Sequence, residues 1–300
     1  MTTHSANETA IDQVLLFTVP SRHARGRVVR LGPLVDTILA AHDYPPLVRH
    51  LLAEALLLCT MLGSLLKEGD GQLTMQAQGK EGSAVRLLVC DYRDGQVRGY
   101  VDFDADAIAA LGRNAQLKAL FGEGYLAITY DLASSEERYQ GIVALESETL
   151  SGACEEYFAR SEQLPTIIRS AIRTDGERTI AGGLLVQHFP EGEEGGERLF
   201  AKDDLPEWEH VSVMASSIRH DELIDEDLSA DAIVWRLFHE EQEVRVIAGP
   251  RLQRGCRCTL EHYEKLLGRF PQEDLVEMRN DDGIIVVDCA FCSREFDLEM

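Results

Sequence analysis

The sequence predicts an α+β fold: an N-terminal antiparallel-sheet domain with helices, an acidic helical linker, and a small C-terminal unit built around cysteine. Three observations carry this. Between Gly71 and Phe189, apolar residues recur with a period of two and are interrupted by turn residues, above all Asp94-Gly95 and Asp175-Gly176. After Pro190 the composition shifts: residues 191–231 hold 14 acidic and three basic residues, a net of −11 out of the chain's −23. The last fifty residues carry two close cysteine pairs, Cys256-Arg257-Cys258 and Cys289-Ala290-Phe291-Cys292, with 30 residues between them. The expected boundaries are a core domain over 1–190, a linker over 191–245 and the cysteine unit over 246–300.

Taken in order, Ile11–Val19 ends at Pro20 and reads as a strand, and Arg25–Leu31 as a second. Leu34–Ala41 is a short helix. Pro45 and Pro46 open the strongest helix signal, Leu47–Lys67, since proline loses nothing in a first helical turn, and Gly69 is the natural stop. This helix is apolar around most of its surface, so it belongs in the interior. Leu73–Gln78, Val85–Tyr92 and Val97–Phe103 are strands, the last two joined by the Asp94-Gly95 turn. Asp104 caps a helix to Leu111. Tyr125–Leu132 and Tyr139–Leu145 form a hairpin around Ser134-Ser135-Glu136. Glu148–Glu162 is helical with Tyr157 and Phe158 turned inward, and Ile167–Arg173 and Thr179–Phe189 are strands flanking Asp175-Gly176. Cys59, Cys90 and Cys154 have no partner cluster in sequence and read as core.

The linker starts with Gly192, Gly195 and Gly196 among acids, a weakly structured beginning. Farther on, Val211, Met214 and Ile218 share a face at helical spacing. Ser229 caps a helix with Asp231 in its first turn and Ile233, Val234, Leu237 and Phe238 on one side. These stripes must rest on something, and the surface of the first domain is the expected support. They read either as two ordinary packed helices or as a marginal segment that detaches, its high charge density weakening the packing and keeping the released form soluble. Val244–Ile247 is a strand, Leu260–Leu267 and Gln272–Met278 are helices, and Ile284–Val287 is a strand leading into Cys289.

A net charge of −23 argues against nucleic acid and anionic membranes as partners. Met1–Ala10 lacks the basic start of a secretory signal, and the uncharged run Ala55–Leu66 is too short to span a bilayer, so a cytoplasmic protein is expected. There thiols stay reduced, and an odd count of seven cysteines also speaks against a disulfide framework. Cys256, Cys258, Cys289 and Cys292 supply the four sulfurs of a closed tetrahedral zinc site. His262 is not needed once four thiolates are present. The first pair has only one residue between its sulfurs, a tighter spacing than Cys-x-x-Cys and a hint that the metal is meant to leave. A unit of this size does not fold on its own core, so zinc would supply much of its stability. No nucleophile elbow, phosphate loop or metal-binding histidine helix is present. Acid pairs such as Asp102 and Asp104, or Asp104 and Asp106, read as a strand end and a helix cap, and His42 and His50 as ordinary surface or satisfied residues. The expectation is a non-enzyme.

The order of units and the cysteine spacing resemble the redox-regulated 33-kDa heat-shock chaperone family of bacteria. Other stretches agree: Tyr157–Thr166 with the family's core motif, Ala181–Gln187 with its closing strand, Trp235–Glu241 with the linker-to-switch junction, and Gly283–Cys292 with the second zinc half-site. The resemblance covers essentially the whole chain. It implies a holdase that binds unfolding proteins without ATP, with one zinc held by the four thiolates in the reduced state. It further implies that oxidation pairs Cys256 with Cys258 and Cys289 with Cys292 and expels the metal. The C-terminal unit is then a zinc-binding redox-switch domain. Its unfolding and that of the linker expose a client surface that includes Val211, Met214, Ile218, Ile233, Leu237 and Phe238. A homodimer of the oxidised form is allowed. The family usually places a Ser-Arg-rich stretch after its first pair; here Thr259-Leu260-Glu261-His262 follows, leaving Arg254 and Arg257 to supply positive charge near the thiolates. Two rival readings are a zinc-ribbon module for nucleic acid or a protein partner, and a thiol oxidoreductase or metalloenzyme. The acidic balance weighs against the first. A closed four-sulfur site without a thioredoxin-like βαβ unit weighs against the second.

Overall fold

A computed structural model describes residues 11–66, 69, 71–112, 115–132, 138–188 and 206–298. The N-terminal apolar run forms β1 (Gln13–Val19), which turns through a 3-10 segment at Pro20–Arg22 into β2 (Ala24–Leu31). Helix α1 (Pro33–Leu39) and the long α2 (Pro46–Gly63) follow, each with proline in its first turn. Then come β3 (Gly71–Gln78), β4 (Val85–Arg93) and β5 (Gln96–Phe103). The β4–β5 turn is the expected one, with Asp94 at φ 48° and Gly95 at φ 78°. Asp104 caps α3 (Ala105–Ala110) by accepting from the Ala107 N–H.

A short helix not read from the sequence, α4 (Leu117–Phe121), precedes β6 (Tyr125–Leu132) and β7 (Arg138–Ala144). The turn assigned to Ser134-Ser135-Glu136 lies outside the described residues. The helix expected over 148–162 is α5 (Leu150–Tyr157) followed by a π turn at Phe158–Glu162, with Tyr157 and Phe158 buried. Strands β8 (Thr166–Asp175) and β9 (Arg178–His188) close the first half. The glycine-rich start of the linker also falls outside the described residues.

The linker proper holds α6 (Pro206–Ser216), α7 (His220–Ile224) and α8 (Ala230–Phe238). Ser229 caps α8 through the Ala232 N–H, as its sequence position requires. The five-residue α7 is too short to leave a periodic signal. The C-terminal stretch holds β10 (Arg245–Arg251), β11 (Gln253–Arg254), α9 (Leu260–Leu267), α10 (Gln272–Glu277), β12 (Ile285–Asp288) and β13 (Glu295–Leu298).

These strands build a five-stranded sheet in the order β10-β1-β2-β9-β8, a six-stranded sheet β11-β5-β4-β3-β6-β7, and the β12–β13 hairpin. All pairings are antiparallel except β11 with β5. The α+β class with antiparallel sheets is therefore realised. Helix α2 runs between the two large sheets, touching β2, β8 and β9 of one and β3, β4 and β5 of the other. It is long and apolar enough to cross a membrane by length and composition, but 78% of it is buried inside the protein. It stops at Gly63, short of the expected end at Lys67. At Gly63 a Cβ would lie 2.3 Å from the Tyr92 ring, so the helix end is pressed against β4. Buried Arg27 caps the exit by donating to the Ser64 carbonyl.

The five-stranded sheet is apolar on both faces. Val29, Leu31, Ala181 and Leu185 point to the core around α2, which also encloses Cys59, Cys90 and Cys154. Phe17, Val19, Val28, Leu184 and Val186 alternate with them and point to the other side. There the linker covers them with Val211, Ala215, Ile218, Leu223, Ile233, Val234, Leu237 and Phe238. The support that the linker stripes require is thus one face of this sheet.

Candidate metal centre and its contacts with the core

The first cysteine pair is delivered by β11. Gln253 N–H donates to Gly95 O at 2.9 Å and Gly255 N–H to Val97 O at 2.9 Å, so the chain runs along β5 up to Cys256. Gly255 permits this approach, since a Cβ there would lie 2.4 Å from the Gln96 Cβ. Arg257, between the two cysteines, turns to the core and donates from Nη1 to Gln72 Oε1 on β3. The second pair sits in the β12–β13 turn. Cys289 N–H donates to Arg294 O, and the N–H groups of Cys292 and Ser293 to Cys289 O, with Ser293 left-handed at φ 55°.

The four sulfurs converge, all within 4.8 Å of one another. Cys256 Sγ lies 3.2 Å from Cys258 Sγ and 3.6 Å from Cys289 Sγ, and Cys258 Sγ lies 3.4 Å from Cys292 Sγ. All four are free thiols. A tetrahedral zinc with Zn–S near 2.3 Å would set its sulfurs about 3.8 Å apart, so this donor set fits such an ion and could hold it. The apolar cluster of the unit has six buried members, Leu267, Leu275, Ile285, Cys289, Phe296 and Leu298, and half-buried Tyr263, Phe291 and the other three cysteines pack against it. His262 lies outside the cluster.

Burial disfavours ionisation of Cys289, but hydrogen bonds from the Tyr263 hydroxyl, the Phe291 N–H and the Cys256 and Cys292 thiols outweigh it and bring the thiol down to about 7. Cys258 is pushed up by burial and by its thiol neighbours, and Cys292 is pushed up chiefly by burial. Four sulfurs this close cannot all be thiolates without a cation among them.

The unit rests on the core through contacts that sequence reasoning missed. Phe291 packs edge-on against Tyr100 of β5 at 4.9 Å, with the Arg98 guanidinium 4.0 Å from its centroid. Arg98 is fixed by buried Asp91 at 2.6 Å. His42, read as an ordinary surface or satisfied residue, donates from Nε2 to Ala290 O at 2.8 Å, and the Ser293 hydroxyl donates to Ala41 O at 2.6 Å. Only the place of Phe291 between two cysteines hinted at any of this.

Residues 12–299 match the family described as Hsp33 protein. The chain belongs to the Hsp33 family. A 33 kDa chaperonin of Caulobacter vibrioides is 38% identical over 296 residues, covering 96% of this chain and 95% of its own. Another, from Shigella boydii, is 35% identical over 288 residues, covering 95% and 91%. The crystal structure of a 33 kDa chaperonin from Thermotoga maritima shares the fold, with a TM-score of 0.76 at 20% identity over 96% of this chain and 94% of the other. Hsp33 proteins are redox-regulated chaperones rather than an enzyme family, and the four-cysteine cluster fits a zinc-binding switch domain in this Hsp33 chain. Of the linker residues assigned to a client surface, Val211, Ile218, Ile233, Leu237 and Phe238 are buried here against the sheet and Met214 is half-buried.

Proposed function

We propose that this protein is an ATP-independent holdase of the cytoplasm. Its client surface is covered while Cys256, Cys258, Cys289 and Cys292 hold zinc and uncovered when they are oxidised. One observation carries the reading: an apolar sheet face is covered by an acidic linker whose C-terminal end runs directly into the cysteine unit. The division of labour follows the boundaries 1–190, 191–245 and 246–300, with β10 as the seam, because it belongs to the core sheet by pairing with β1.

When bound, zinc supplies the charge that keeps four thiolates together, and folding free energy on the order of 10–16 kcal/mol for a unit with so small a core. Oxidation removes the ligands. One thiol of a pair reduces a peroxide and becomes a sulfenic acid, releasing water. Its neighbour displaces a second water, and an S–S bond forms at the cost of two electrons and two protons per pair. Pairing Cys256 with Cys258 and Cys289 with Cys292 leaves nothing joining the two halves of the unit. Crossed pairs would staple those halves across a long loop and keep it compact. With the unit unfolded, β11 loses its anchor on β5, and the linker's exit is held only by the pairing of β10 with β1. The linker's acids then favour release, exposing Val211, Met214, Ile218, Ile233, Leu237 and Phe238 together with the sheet face beneath.

Partly unfolded proteins are the partners this surface suits, and the oxidised form is free to associate as a homodimer through it. The test is to oxidise zinc-loaded protein at mildly raised temperature and follow zinc release, suppression of client aggregation and mass by light scattering. Zinc release and protection should rise together. Full protection by the reduced, zinc-bound protein would sink the switch.

A further inference from the structure

Most of the linker's contact with the sheet is apolar, and apolar contact alone does not fix position. Side-chain pairs such as Arg169 with Ser216 and Arg22 with Glu241 add to it, and at one place a core side chain grips the linker's backbone itself. Arg30 on β2 and Gly182 on β9 are directly opposite each other across the β2–β9 ladder. The Arg30 guanidinium is buried, 5% exposed, and its donors go to backbone carbonyls of the linker. Nε donates to Leu223 O at 2.9 Å, Nη1 to Leu228 O at 2.9 Å and Nη2 to Glu222 O at 3.3 Å. Gly182 makes the room: a Cβ there would lie 2.1 Å from the same Leu223 oxygen.

The carbonyls concerned are those that most need a partner. Glu222 and Leu223 lie in the last turn of α7, whose terminal carbonyls have no intrahelical donors. Leu228 immediately precedes Ser229, the cap of α8. A single side chain therefore holds the corner between the two helices. A five-residue helix has no stability of its own, so its place depends on what grips it. Core arginines around the corner add exposed contacts, Arg173 and Arg178 with Glu226, while Arg236 of α8 ties to Glu222 at 2.8 Å. Exposed pairs of this kind contribute little, whereas three hydrogen bonds from one cation, the Leu223 bond buried and the other two part-buried, contribute more.

We infer that the Arg30–Gly182 pair is a cradle that positions the α7–α8 corner on the sheet and sets how readily the linker leaves it. This rests on the proposed release of the linker and names the residues that regulate it. Both belong to the core domain and touch neither the cysteines nor the client stripe of α6.

The test uses the full chain, reduced and zinc-loaded, with amide hydrogen exchange read over residues 220–238 and, as an internal standard, over α2. Arg30→Met keeps the aliphatic stem and removes the donors. It should speed exchange over 220–238 by about tenfold or more, the factor expected for losing buried charge-assisted hydrogen bonds, and leave α2 unchanged. Gly182→Ala should do the same by displacing the Leu223 carbonyl. Arg30→Lys, which keeps charge without the fork, should fall between parent and Arg30→Met. Unchanged exchange in Arg30→Met and Gly182→Ala would overturn the cradle, as would a parallel rise over α2. Client protection is read separately on the same reduced samples. Faster exchange without gain of protection leaves the cradle standing and counts against linker release as the activating step.

Discussion

The Arg98 guanidinium stands 4.0 Å from the centre of the Phe291 ring, which lies between two of the four converging cysteines. Tyr100 meets that ring edge-on, and Asp91 holds Arg98 in place after accepting from Thr74. The ring is thus a handle by which β5 senses the knuckle of the second cysteine pair. Cation–π and aromatic edge contacts each contribute on the order of 1 kcal/mol, so Phe291→Ala should speed zinc loss to a chelator several-fold. Phe291→Tyr should stay near the parent. A colorimetric zinc-release assay measures both, and an unchanged rate in Phe291→Ala would remove the handle from the account.

Cysteine accessibility gives a count. Cys59, Cys90 and Cys154 are fully buried around α2, and burial pushes all three thiols well up from their ordinary value. In metal-stripped native protein a thiol reagent should therefore modify four groups, with seven reached only in denaturant. After peroxide, native labelling should fall to none while the three core thiols still appear on unfolding. Peptide mapping then distinguishes the proposed pairs from crossed ones. Rapid native labelling of a fifth thiol would mean that the core opens more easily than its packing implies.

Acid should loosen the linker at one identifiable point. His188, 4% exposed at the end of β9, lies edge-on to Trp208 of α6, and its Nδ1 has no hydrogen-bond partner among the described residues. Burial lowers its pKa from the ordinary 6.5, His23 adds to that, and Glu207 opposes it. An unfolded imidazole takes up a proton as pH falls through about 6.5 while the buried one resists, so this stabilising contribution is present above that pH and lost below it. Trp208 fluorescence should shift reversibly between pH 7 and 5 with the protein still folded, and His188→Phe should flatten the change. A Trp235→Phe background isolates the signal. A shift that survives His188→Phe would assign the titration to another group.

What could be read from the sequence was local. The Asp94-Gly95 turn, the Asp104 and Ser229 caps and the limits of α9 follow from residue chemistry within a few positions, and the structure places them as expected. The two apolar linker stripes were legible as stripes. Their support was legible only as the surface of the first domain; which part of it was not, because that sheet face arises from β1, β2 and β9, which are more than a hundred residues apart in sequence at their extremes. The early end of α2 was hidden for the same reason: Tyr92 and Arg27, which shape it, are remote. Short pieces such as α4, α7 and β11 hold too few residues to show a period. The cysteine cluster stood out by spacing alone, whereas the contacts of His42, Arg98 and Tyr100 with it had no sequence pattern to betray them.

Removing the metal should separate the two halves of the molecule energetically. The C-terminal unit has six buried residues in its cluster, while the core around α2 has dozens and two sheets to close it. Chelation of the reduced protein should therefore raise amide exchange over residues 256–298 toward that of an unfolded chain and leave α2 and β9 protected. Cys258→Ser should reproduce this without chelator, because it removes one of four ligands and a hydroxyl does not replace a thiolate on zinc. Loss of the unit should also free β11 from β5, so the amides of Gln253 and Gly255, bonded to Gly95 and Val97, report the step that passes the signal onward. If those two amides stay protected while residues 256–298 exchange freely, the unit unfolds without releasing its hold on the core, and the linker must be freed by some other route.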